Sequence, residues 1–104
     1  MFVITSAAFA NGAEIPARHT CEGEQLSPPL EWSGAPKGTR SFVLIVDDPD
    51  APDPAAPQRV WVHWLLYNLP PDTTSLAEGA SRTGLPEGAR ELRNDGDGVG
   101  YTGP

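Results

Sequence analysis

The stretch Val60-Trp61-Val62-His63-Trp64-Leu65-Leu66-Tyr67-Asn68 decides the fold. β-branched and aromatic residues fill it, and prolines at 57, 70 and 71 bound it, so it reads as a strand. Alternation puts Trp61, His63, Leu65 and Tyr67 on one face and Val60, Val62, Trp64 and Leu66 on the other. Both faces are apolar, which predicts a central strand covered on both sides. Ser41 to Asp47 (SFVLIVD) has the same character. Phe2 to Ala8, followed by an Asn11-Gly12 turn, and Leu30 to Trp32 are weaker strands. No window keeps apolar residues at i, i+3, i+4 and i+7 for three turns free of Gly and Pro. Only short helical turns are expected, over Thr74 to Glu78 and over Glu87 to Leu92. The chain is mainly β.

At 104 residues the chain suits a single domain, 1–104, and its 11 glycines and 12 prolines predict ordered loops around a small core. A net charge of −7 repels nucleic acid and anionic membrane surfaces, so neither is an expected partner. The lone Cys21 builds no disulfide framework, and a cytoplasmic location is the expectation. The longest apolar run, Phe42 to Val46, has five residues against the ~20 a spanning helix needs. No membrane span is expected.

Chemistry concentrates at two strand ends. His63 is a titratable group in an apolar strand: either a core histidine with its hydrogen bonds met, or a functional one. Trp61 lies two positions away and walls a pocket or simply packs. Asp47-Asp48-Pro49-Asp50-Ala51-Pro52-Asp53 closes the other strong strand, and four carboxylates in seven residues ordinarily make a solvated turn. Alternation puts Asp48 with Phe42, Leu44 and Val46, so adjacent strands would let Asp48 meet His63. Prolines between Asp48, Asp50 and Asp53 oppose a calcium loop, and His19, Cys21 and His63 make a poor zinc set. Asp95-Gly96-Asp97-Gly98 has the glycines of a calcium loop without the distal Glu. Nucleophile elbows and phosphate-binding glycine motifs are missing, so no enzyme activity and no cofactor are expected.

Thr20-Cys21-Glu22-Gly23 with Ser27-Pro28-Pro29-Leu30-Glu31-Trp32, then Asp48-Pro49-Asp50-Ala51-Pro52, Trp61-Val62-His63-Trp64 and Gly100-Tyr101-Thr102-Gly103-Pro104 stand in one order along the chain. Together they resemble the phosphatidylethanolamine-binding protein family, in its bacterial Raf-kinase-inhibitor-like branch. The resemblance implies two antiparallel sheets packed as a sandwich, with a small cavity for phosphate, a phosphorylated small molecule or a lipid head group. Carried over, Asp48, His63 and the backbone around Gly103 line that cavity, with Asp50, Ala51, Pro52, Trp61 and Tyr101 as walls. Loop N–H groups near Gly100 and Gly103 are expected to supply uncharged donors to the anion. The family continues with a Pro-Pro turn and a His-Arg-Tyr strand that this sequence lacks, which implies a missing last core strand, an exposed sheet edge and self-association, for example as a homodimer. Three functions compete. The first is a non-enzymatic phosphoryl binder that modulates a partner such as a kinase. The second is an inhibitor, for example of a serine protease, acting through the loop Asp50 to Pro57. The third is a truncated remnant without binding activity.

Overall fold

The computed structural model describes residues 1–51, 59–96 and 98–104, with the backbone alone for Asp50, Ala51 and Arg59. Two antiparallel three-stranded sheets form the fold. The first runs β1 (Val3–Thr5), β2 (Leu30–Ser33), β5 (Ser75–Leu76), and the second β3 (Phe42–Ala51), β4 (Arg59–Leu69), β6 (Arg90–Glu91), each in that spatial order. A 3-10 turn over Ala17–His19 is the one helical element among the described residues. No helix among them is long and apolar enough to cross a membrane.

The core lies between the sheets. Trp32 and Leu76 face Phe42, Leu44, Trp64, Leu66 and Leu69, with Ala80, Ala89 and Tyr101 closing the margin. Trp32 meets Phe42 edge-on at 5.7 Å between ring centres, and Phe2 stacks on the other side of Phe42 at 5.9 Å. Along β3 the alternation is regular: Phe42 and Leu44 are buried while Val43 and Ile45 are exposed.

Strand β4 departs from strict alternation at two places. Val46 pairs with Trp64 but Asp47 pairs with Val62, so His63 is an extra residue in the ladder. Leu44 pairs with Leu66 and Phe42 with Leu69, and the added residue there includes Asn68 at φ 59°. Each bulge lets neighbours that alternation would separate turn to one side. His63 therefore joins Trp64 inside, and Leu66 and Leu69 are both fully buried despite their odd spacing. The face expected to hold His63 with Leu65 and Tyr67 is split by the first bulge.

Other expectations are corrected. Thr74 to Glu78 and Glu87 to Leu92 carry strands rather than helical turns: Leu76 and Ser75 pair with Leu30 and Glu31, and Glu91 and Arg90 pair with Leu66 and Tyr67. Backbone groups beside an open ladder gain more from pairing than from an isolated turn. β4 is central, but its outer face is open, since Val60 and Tyr67 are exposed along with Val43 and Ile45. β1 stops at Thr5 because the Ser6 hydroxyl donates to the Pro29 carbonyl at 2.6 Å and accepts the Ala8 N–H at 3.1 Å, turning the chain away.

One carboxylate ties the margin together. Glu91 Oε2 accepts the Trp64 indole N–H at 2.6 Å and the Ser81 hydroxyl at 2.7 Å, while its Oε1 accepts the Arg82 N–H at 2.7 Å. Trp64 is fully buried, so its N–H has no route to water. Glu91→Ala should lower unfolding free energy by about 2–4 kcal/mol, the range for orphaning buried donors once shared by a charged acceptor. Glu91→Gln should cost less, because one amide oxygen still accepts; urea midpoints of the two variants check the order.

Candidate functional site

The bulge in β4 at His63 and the stretch of β3 ending at Asp48, just before its own register shift between Asp48 and Ala51, make the site. Asp48 lies directly opposite Trp61 in the ladder, so the two share a face with Val46. The extra residue at His63 aims its ring to the same side, and Nε2 comes 3.9 Å from Asp48 Oδ2. The His63 side chain is 8% exposed and that of Asp48 36%. Neither ring nitrogen of His63 has a hydrogen-bond partner, although both are shut off from solvent. The structure brings together the Asp48 and His63 that the sequence placed at facing strand positions, and it is the bulge that brings the ring inside beside Trp64.

What holds the bulge is the glycine-rich segment. Asp95 Oδ2 accepts the Val62 N–H at 2.7 Å, the Asp95 N–H returns a bond to the Val62 carbonyl at 2.9 Å, and the Thr102 N–H donates to the His63 carbonyl at 2.9 Å. Asn94 shapes the segment itself. Its Nδ2 donates to the Gly100 carbonyl and to Thr102 Oγ1, both at 2.8 Å, and its Oδ1 accepts the N–H groups of Gly96 at 2.8 Å and Gly98 at 3.2 Å. Asp95 had read only as an incomplete calcium ligand; its carboxylate is engaged by β4 backbone instead. Asn94, Asp95 and Glu91 are the residues that sequence reasoning missed. An Asn-Asp pair opening a glycine-rich loop was the available signal.

The remaining expected site residues are dispersed. Tyr101 sits behind the site, edge-on to Trp64 at 5.7 Å, with its phenol donating to the His19 carbonyl at 2.6 Å. Gly103 lies against the 19–25 segment: its N–H donates to Gln25 Oε1 at 3.1 Å, and a Cβ there would come within 2.6 Å of the Thr20 carbonyl carbon. The Gly100 N–H points to the Leu92 carbonyl at 3.4 Å. Both N–H groups expected to face an anion are thus directed at the chain itself. Asp50 and Ala51 continue β3 in backbone, and Pro52 lies outside the described residues, as does most of the Asp50 to Pro57 loop.

A family profile described as phosphatidylethanolamine-binding protein matches residues 5–104. The chain belongs to that family. A UPF0098 protein of Methanothermobacter thermautotrophicus is 47% identical over 98 residues, covering 93% of this chain and 62% of the relative. A UPF0098 protein of Aquifex aeolicus is 42% identical over 101 residues, covering 97% and 56%. Among solved structures, Escherichia coli YbcL, described as a new member of the mammalian PEBP family, superposes with a TM-score of 0.89 at 40% identity, over 99% of this chain and 65% of YbcL. The chain spans between half and two thirds of the length of these relatives. The two antiparallel sheets expected from the sequence are those of the described residues, and they superpose on that structural neighbour.

Tyr101 gives the family fold an alkaline limit. Burial pushes its phenol from 10.0 up to about 12, because the interior disfavours phenolate. Between those values the unfolded chain has lost the phenolic proton and the folded chain keeps it, so stability is present below pH 10 and falls as pH rises toward 12. Urea midpoints should drop across that window, and Tyr101→Phe should flatten the drop; parallel slopes in both proteins would contradict this assignment.

Proposed function

We propose that this chain is a non-enzymatic binding protein whose site, built on Asp48 and His63 beside Trp61, takes a small phosphoryl group, free or on a head group. The observation that carries the reading is the His63 ring: buried, with both nitrogens unpartnered and a carboxylate 3.9 Å away. Orphaning a buried polar group costs about 1–3 kcal/mol, and such a cost is met in folded proteins where the partner comes from outside the chain. An Asp–His pair in the wall of a sandwich is one arrangement that supplies it.

Charge dictates the protonation. A dianionic phosphoryl group beside ionised Asp48 is repelled, and the net charge of −7 adds to the repulsion. Binding therefore proceeds with a proton on the site. As imidazolium, His63 donates from both nitrogens, Nε2 toward Asp48 and Nδ1 toward the ligand. Modulation of a protein partner such as a kinase is the consequence the family resemblance implies, and it follows from occupancy of this site.

The test is heteronuclear NMR of the full chain titrated separately with phosphoethanolamine and with inorganic phosphate. Amide shifts at Asp48, Trp61 and His63 should move with both probes and should be lost in His63→Ala. A dispersed spectrum in which neither probe moves those positions overturns the reading.

A further inference from the structure

Among the described residues, three other than glycine hold a left-handed backbone: Gln25 at φ 56°, Asn68 at φ 59° and Arg82 at φ 71°. Asparagine tolerates that region, and Asn68 sits in the second bulge of β4. For glutamine and arginine it sets Cβ against the following carbonyl oxygen, a cost that glycine escapes. What glycine would lack is the side chain, and both side chains go to one place. The Arg82 guanidinium forks over Gly100: Nε donates to the Val99 carbonyl at 2.9 Å and Nη2 to the Tyr101 carbonyl at 3.1 Å. Gln25 Oε1 accepts the Gly103 N–H at 3.1 Å. Backbone outliers of this kind persist only where the surroundings over-determine them.

The segment held in this way is the one that sets the His63 bulge. Thr102 lies between the two attachment points, and its N–H donates to the His63 carbonyl at 2.9 Å. Arg82 holds its side closely. Gly100 has φ 106°, and a Cβ there would come within 3.0 Å of Arg82 Nε and 2.7 Å of Ser81 Oγ. The turn that carries the guanidinium is itself pinned, because Glu91 Oε1 accepts the Arg82 N–H at 2.7 Å and Ser81 Oγ accepts the Tyr101 N–H at 2.9 Å. A planar guanidinium presents donors in a rigid fork that fits two carbonyls on one stretch of chain, whereas a flexible ammonium is a single point of charge.

We infer that Arg82 and Gln25 are positioning residues of the phosphoryl site. Acting through Thr102, they fix the main chain of β4 at His63 and with it the direction of the imidazole ring. The inference rests on the reading of Asp48 and His63 given above, and adds that the geometry of the site is set from two loops outside it, one before β2 and one after β5.

The test uses the full chain and inorganic phosphate, followed by amide shifts. Arg82→Gly and Gln25→Gly remove each side chain while easing the left-handed backbone. In the free protein, the amides of Val62, His63 and Thr102 and the His63 ring signals should move in both variants. Phosphate should bind about tenfold more weakly to Arg82→Gly, and Arg82→Lys should recover part of that loss. Phe2→Ala is the stability control: its ring stacks on Phe42 in the core, so the urea midpoint should fall while phosphate affinity stays at the wild-type value. A merely structural role for Arg82 predicts wild-type affinity for as long as the spectrum of Arg82→Gly is dispersed. Should Arg82→Gly fail to fold, Gln25→Gly and Arg82→Lys decide the matter by the same two readouts. Unmoved His63 signals, or wild-type phosphate affinity in the folded variants, overturns the inference and leaves the phosphoryl reading standing; a wild-type chain indifferent to phosphate overturns both.

Discussion

Three hydrogen bonds to the main chain of β4 hold His63 in place. The amide and carbonyl of Val62 and the carbonyl of His63 are each bonded to the segment around Asp95 and Thr102. A bulge leaves ladder groups without cross-strand partners, and without compensation it would slip or fray. Here the compensation comes from a loop some thirty residues downstream, with Asp95 serving as acceptor through its side chain and as donor through its backbone. The bulge aims the His63 ring inward, Asp48 meets it there, and Trp64 reaches Glu91. Removing the clamp would release the geometry of strand, loop and imidazole together.

The second constraint is the placement of negative charge. The chain carries a net charge of −7, and two of its carboxylates, Glu91 and Asp95, accept hydrogen bonds that shape the fold: Asp95 from the Val62 N–H, and Glu91 from the Trp64 indole, the Ser81 hydroxyl and the Arg82 N–H. Charge-assisted hydrogen bonds of this kind are shorter and stronger than neutral ones and suit a margin where Trp64 and Tyr101 exclude water. Asp48 differs. Its neighbour is the His63 ring, 3.9 Å away, so the site sets a carboxylate against an imidazole where the margin sets carboxylates against neutral donors.

The long strands were legible because β-branched and aromatic runs bounded by proline have one good solution: Val60 to Asn68 falls within β4, and Ser41 to Asp47 falls within β3 but for Ser41, one residue before it starts. β5 and β6 were not legible: two residues carry no periodicity, and their pairing is imposed by β2 and β4. Nor was the bulge. One added residue at His63 leaves composition unchanged while reversing which side chains face inward, and the signal that fixes it sits at Asp95 and Thr102, far away in sequence. For the site, Asp48 and His63 were readable as a pair from strand ends and motif order, and Trp61 from its place two residues before His63; that it lies opposite Asp48 was visible only in the ladder. Tyr101 and Gly103 carry the family motif, yet in the fold they secure the 19–25 segment.

That last attachment has a consequence for how the chain is made. Tyr101 reaches His19 across 82 positions and Gly103 reaches Gln25 across 78, so the contacts that fasten the early turn are supplied by residues synthesised some eighty positions later. On a ribosome the early turn would emerge long before the residues that fasten it. That turn therefore waits, open, until the segment around Tyr101 and Gly103 has cleared the exit tunnel, and the margin of the sandwich closes late among residues 1–104.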